Sequence, residues 1–177
     1  MNELLKHSSR RGFLGAIAAF ILAVALAIPA HAGSMTDYLE NKLLDWLIRG
    51  QTLTQLTNVY VSLHTASCSD SSTGTEVTGG SYARVTVAAN MTQWAGTQSA
   101  GSTTASSGTG GTTSNNNAIT FPAPTANWGT VTHFGLFDAS TSGNQLFCAA
   151  LTTSKTVNNG DAAPSFAAAA LTVQIDN

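Results

Sequence analysis

The sequence predicts an all-β fold: an antiparallel β-sandwich with one N-terminal amphipathic helix. Three observations carry this. First, the stretch from Ile119 to Leu151 reads as strand, corner, strand, turn, strand. Within it Val131, His133, Gly135 and Phe137 alternate with Thr132, Phe134, Leu136 and Asp138. That is a period of two with both faces largely apolar, the pattern of a central strand covered on both sides. Second, clusters rich in Gly, Asn and Ser cut the chain into short β-branched and aromatic runs. Third, residues 36–50 space their apolar side chains at a helical period and end on a glycine.

The chain opens with a different kind of segment. Lys6, Arg10 and Arg11 are basic, Phe13 to Ile28 is an almost unbroken apolar run, and Ala30-His31-Ala32 has the small-x-small form of a cleavage site. Residues 1–32 therefore read as a secretory signal peptide, removed from the mature protein. The run is short for a spanning helix, which needs ~20 apolar residues. Membrane contact is thus expected only through an uncleaved leader. Arg10 and Arg11, followed by Phe13 and Leu14, match the twin-arginine form of export signal, whose route carries folded cargo. A general secretory signal containing Arg-Arg is the plainer alternative. Gly33-Ser34-Met35 resembles the scar of two joined coding segments, although a natural join reads the same. Residues 36–177 are expected to form one domain, secreted or periplasmic after cleavage, or part of a virion if the leader is not native.

In chain order, Thr36 is placed to cap a helix, with Asp37 and Glu40 in the first turn, where the helix dipole favours acids. Leu39, Leu43, Trp46 and Leu47 fall on one face at i, i+4, i+7 and i+8. Leu44 and Ile48 widen that face, and Gly50 is a natural stop. This stripe must lie on something. The two candidates are the chain's own sheet and a neighbouring subunit, so these four residues are the candidate docking helix.

Leu56 to Ala66 is a strand by its β-branched and aromatic content, and Ser81 to Ala89 is the next. Arg84 lies in the second and has Glu76 as a candidate ion-pair partner. Met91, Trp94 and Ala95 suggest a further short strand. Residues 96–117 hold no apolar side chain larger than Ala and cannot bury enough surface to offset the entropy of ordering. They are read as a long mobile loop, with a receptor-facing role as the sharper alternative. After the 119–151 unit come a short strand at Lys155–Val157, an Asn-Gly hairpin signal at Asn159-Gly160, an Ala-rich strand or bend at 165–170, and a half-buried last strand with Leu171, Val173 and Ile175.

Charged residues make up 9% of the chain, far below the ~25% usual for a soluble domain. Past the leader only Lys42, Arg49, Arg84 and Lys155 face eight acids: Asp37, Glu40, Asp45, Asp70, Glu76, Asp138, Asp161 and Asp176. With no basic patch, nucleic acid is not an expected partner. Sparse charge also removes one guard against association between sheet edges. Cys68 and Cys148 can pair in an oxidising compartment, and two buried free thiols are the alternative. Neither a metal site nor a cofactor is expected, since His64 and His133 supply too few ligands beside the cysteines. The loose catalytic candidates are His64, His133, Asp70, Asp138 and Glu76. No G-x-S-x-G, H-E-x-x-H or phosphate-binding glycine loop accompanies them, so no enzyme is expected.

TDYLENKLLDWLIRG, NVYVSLHTA, GTEVTGGSYARV, ITFPAPTANWGTVTHFGLFD, QLFCAALTTSKTVNNGD and LTVQID, in that order, resemble a family of small phage tail proteins, variously called tail fibre or minor tail proteins. The likeness covers nearly all of 35–177, and the GTEV-x-GGSYAR and WGTVTH pieces are its most specific. It implies a β-sandwich with an N-terminal helix, a structural role in a virion and no activity. The leader and the long 96–117 segment depart from the family pattern. The expected partners are further copies of the chain or a fibre or tail protein. A binding module for surface glycans is the alternative, prompted by the leader and by Tyr60, Trp94 and Trp128.

Overall fold

A computed structural model of the chain describes residues 35–175. The order of elements is α1 (Asp37–Ile48), β1 (Asn58–His64), β2 (Val85–Ala88), β3 (Thr112–Ser114), β4 (Ile119–Thr120), β5 (Gly129–Phe137), β6 (Gln145–Val157), β7 (Ser165–Phe166) and β8 (Thr172–Gln174). All named strand pairs are antiparallel. A four-stranded sheet runs β2-β1-β5-β6, and two small ribbons, β3-β8 and β4-β7, face it. This is the expected all-β, sandwich-like class with a single helix among the described residues.

The core lies between the sheet and the ribbons. Val61, Leu63, Phe134 and Leu136 from the sheet pack with Ile119, Phe121, Phe166, Leu171 and Val173 from the other layer. The Phe166 ring meets Phe134 edge-on at 5.7 Å and Phe121 at 6.3 Å, a geometry the aromatic quadrupole favours. Trp128 is buried beside Tyr82, and its indole N–H donates to the Gly80 carbonyl at 2.9 Å. It is therefore a core residue and no part of an exposed aromatic platform.

Strand β5 is central, as its two apolar faces require, but it is not regular. His133 pairs with Ala150 and Val131 with Lys155, so residues 151–154 stand opposite Thr132 alone. The bulge turns Val131 towards the core along with Phe134, two residues that strict alternation would put on opposite faces. It also merges Lys155–Val157 into a single 13-residue β6 rather than a separate strand.

Other expectations shift for local reasons. The second strand covers only Val85–Ala88, because Ser81 has φ +64° and the Tyr82 and Arg84 side chains reach across to Glu76. Trp94 forms one isolated bridge to Asn115 instead of a strand. The 96–117 segment is not loop throughout: Thr112–Ser114 is β3, and Asn115 is buried. The Asn115 amide donates to the Ala167 and Asn117 carbonyls and its Oδ1 accepts from the Leu171 N–H, so it pegs this segment to the last strand. The turn at Asn158–Asp161 leads to β7, which pairs with β4, so no hairpin with β6 forms. Ile175 is exposed.

The 65–84 segment runs along the edge of β1 beyond β2 and reaches the second face of β5 through Cys68 and Arg84. The Val77 N–H bonds the Leu63 carbonyl, and the Tyr82 hydroxyl accepts from the Leu63 N–H at 2.9 Å. Cys68 is joined to Cys148 of β6 by a disulfide that spans 80 residues of sequence. Arg84 completes the clamp. Its guanidinium holds Glu76 with two hydrogen bonds at 2.9 and 2.7 Å, donates to the Ala139 and Ser142 carbonyls, and lies 3.5 Å from the Phe137 ring centroid. The side chain is 7% exposed, so the pair is shielded and is worth more than a surface ion pair.

Closing so long a loop restrains the unfolded chain, an effect worth about 2–5 kcal/mol for native disulfides. Reducing the protein, or making Cys148→Ser, should lower the thermal midpoint without changing the far-ultraviolet circular dichroism of the cold protein. An unchanged midpoint would show that the disulfide adds nothing to stability.

Candidate assembly surface

Two places gather functional-looking side chains, and they differ in access to solvent. The first lies behind β5. Ser62 Oγ is 2.8 Å from His64 Nε2, and Gly135 on the neighbouring strand lets them approach. A Cβ on Gly135 would come within 2.8 Å of both Ser62 Oγ and Gln145 Nε2. His64 and Ser62 are each 0% exposed. A hydroxyl and an imidazole in contact suggest a nucleophile and its base, but no substrate reaches a pair sealed in this way.

The electrostatics of the cluster follow from burial. Burial lowers the His64 pKa to about 4. Glu76 opposes that shift, while Arg84 and His133 add to it. Burial alone would raise the Glu76 carboxyl, but the hydrogen bonds from Arg84 and Tyr82 outweigh it and hold the group below its ordinary value. Burial also depresses His133 and raises the Tyr82 hydroxyl. His133 Nδ1 meets Thr132 Oγ1 at 2.8 Å. Asp138 accepts from the Asn144 backbone and amide within its turn, and the Asp70 carboxylate binds the Ser71 N–H. The five loose catalytic candidates therefore do not converge on one open cleft. Among the described residues no group of His, Cys, Asp and Glu is arranged to hold a metal ion.

The second place is open. Helix α1 ends as its sequence demands, at Gly50 with φ +70°, a left-handed conformation that glycine adopts without strain. Its start differs from expectation. Thr36 makes no side-chain cap, and its hydroxyl instead donates to the Gln145 carbonyl while its N–H bonds Leu146 O. The helix is thus fastened at its beginning to β6, and its first turns rest on the body through Tyr38 and Leu39. No residue of α1 is buried. Leu39 packs against the core, Leu43 is half-buried, and Trp46 is 51% exposed. Leu44, Leu47 and Ile48, related as i, i+3 and i+4, share a second apolar face at 51, 64 and 77% exposure.

Between α1 and the sheet runs a groove of about 500 Å³ lined by Leu39, Trp46, Leu53, Leu56, Val59 and Phe147. A second groove of about 340 Å³, lined by Trp94, Leu136 and Ile175, shares Val59, Ala89 and Phe147 with the first. Together they form one apolar trough, lined by α1 on one side and by Thr113 and Val173 of the β3-β8 ribbon on the other. Sequence spacing found the helix stripe but missed the trough. Val59, Phe147 and Ile175 come together only through the tertiary fold, and spacing along the chain does not connect them.

The export-signal residues Arg10, Arg11, Phe13 and Leu14 and the cleavage-site residues Ala30 and Ala32 lie outside the described residues. Among those described, no helix is long and apolar enough to cross a membrane.

The described residues thus form a β-rich scaffold whose polar cluster is sealed and whose apolar helix face is open. A family model described as Podophage GP4 fiber I protein gp80 matches residues 34–174, and the chain belongs to that family. No individual curated protein matches the chain.

The buried imidazole sets the response to acid. The unfolded chain takes up a proton on His64 near pH 6.5, whereas the folded chain resists until about 4. Glu76 continues the loss at lower pH, because its folded pKa is depressed from an ordinary value of 4.5. Stability should therefore fall as pH drops from about 6.5 towards 4. Urea titrations across that range should show the decline, and His64→Gln should make it shallower. A flat profile in the parent protein would contradict the assignment.

Proposed function

We infer that this chain is a non-enzymatic structural subunit, exported from the cell that makes it, which joins copies of itself or a fibre partner through the apolar face of α1 and the adjoining trough. Membership of a phage fibre family supports the structural role. The observation that carries the mode of action is the helix. A helix with a second apolar face gains by covering it, and among the described residues Leu44, Leu47 and Ile48 remain 51, 64 and 77% exposed. Full burial of such side chains is worth about 1.5–3 kcal/mol each, so these three would form the centre of a larger contact. The low charge of the surface leaves little repulsion to resist it.

The glycan-binding reading is weaker. Of the aromatics behind it, Trp128 is in the core, and Trp94 lies in a groove whose lining is largely apolar.

Light scattering and electron microscopy of the exported product should find a fibre or a defined oligomer. The double substitution Leu47→Asp with Ile48→Asp should yield monomers that keep the parent's far-ultraviolet circular dichroism and lose any dependence of the unfolding midpoint on concentration. A parent product that stays monomeric at high concentration would overturn the reading.

A further inference from the structure

The sealed cluster behind β5 admits no outside substrate, but it holds an electrophile of its own. Ser62 on β1 stands opposite Gly135 on β5, and Gln145 on β6 stands opposite Phe137, two residues further along the same face. Gly135 has no side chain, and the place its Cβ would take is ringed by three polar atoms. Ser62 Oγ and Gln145 Nε2 are each 2.8 Å from it and His64 Nε2 is 3.0 Å away. Ser62 Oγ lies 2.8 Å from His64 Nε2 and 3.2 Å from the Gly135 carbonyl, so the imidazole is the closer acceptor for the hydroxyl proton. Gln145 is 5% exposed, and neither its amide nitrogen nor its amide oxygen has a hydrogen-bond partner. A buried amide left unpaired is costly, and native proteins seldom keep one without a reason.

We propose that Ser62 and Gln145 react with each other, once per chain, to form a side-chain ester that ties β1 to β6 across β5. The Ser62 oxygen attacks the Gln145 amide carbon while His64 Nε2 takes the hydroxyl proton. The imidazolium then gives that proton to the amide nitrogen, the C–N bond breaks and ammonia leaves. One C–O bond is made and one C–N bond is broken, with no oxidant, reductant or further reactant. Nucleophile, base and leaving nitrogen already surround one point, so the step needs no encounter. Burial keeps the imidazole in its neutral, proton-accepting form. The seal that keeps substrates out also keeps water from hydrolysing the ester, and the ammonia is diluted away, which prevents its return. A single event per chain tolerates a slow rate and gives no turnover, so the protein remains non-enzymatic. The link is independent of the assembly surface and would let the sheet bear load across its central strand without relying on hydrogen bonds alone.

Mass spectrometry of the intact chain, unfolded and with its disulfide reduced, tests this. The mass should fall short of that given by the sequence by one ammonia. Fragmentation should find Ser62 and Gln145 in one cross-linked peptide pair, and alkaline hydrolysis should separate the pair and convert residue 145 to a glutamate. Ser62→Ala should restore the full mass. A parent chain of full mass, with Ser62 and Gln145 in separate peptides, would overturn the proposal whether or not any variant folds. A deficit that survives Ser62→Ala would also overturn it, since the ammonia would then be lost elsewhere, as by succinimide formation at Asn159-Gly160.

Discussion

The two-sided burial of β5 is the constraint from which the fold follows. A strand with apolar side chains on both faces needs two covers, and this chain builds them by different means. The ribbons β3-β8 and β4-β7 supply one, through ordinary aliphatic and aromatic packing. The other is a loop, and a loop brings polar groups that must be satisfied. Arg84 meets most of that need. One guanidinium neutralises Glu76, bonds two carbonyls of the β5–β6 turn and stacks on Phe137. The disulfide holds the same cover to β6 from the other side. Ser62, His64 and Gln145 lie beneath this cover, which explains why a hydroxyl–imidazole contact is compatible with a structural role.

Much of this was legible in the sequence. Period-two alternation in β5, the helical spacing after Thr36, the Gly50 stop and the Arg84–Glu76 pair all depend on neighbours close in sequence or on strong chemical preference. What was not legible depends on distant contacts. The bulge opposite Thr132 cannot be seen from β6 alone, because nothing local marks residues 151–154 as surplus to their partner. Asn115 reads as a loop asparagine until Leu171 and Ala167 surround it. Thr36 looks like a helix cap because its local geometry suits one, yet a carbonyl 109 positions away takes its hydroxyl.

The candidate surface divides in the same way. The helix stripe was found by counting, but its meaning was not, since a stripe facing its own sheet and a stripe facing a neighbour have identical spacing. Exposure separates the two: Leu39 and Leu43 turn towards the body, whereas Leu44, Leu47 and Ile48 turn away. The trough needed the whole fold, because Val59, Phe147 and Ile175 come from three distant parts of the chain. The polar cluster and the apolar surface thus invert the usual arrangement of an enzyme, in which the reactive groups are reachable and the apolar ones are hidden.

Hydrogen–deuterium exchange, comparing the protein when dilute and when concentrated enough to associate, tests this account most directly. Slower exchange should appear in residues 37–48 and along the trough at 53–59 and 145–147, with the 65–84 cover unchanged. Protection that appears instead around Ser62, His64 and Glu76, or nowhere at all, would contradict the claim that this protein acts through its open apolar face.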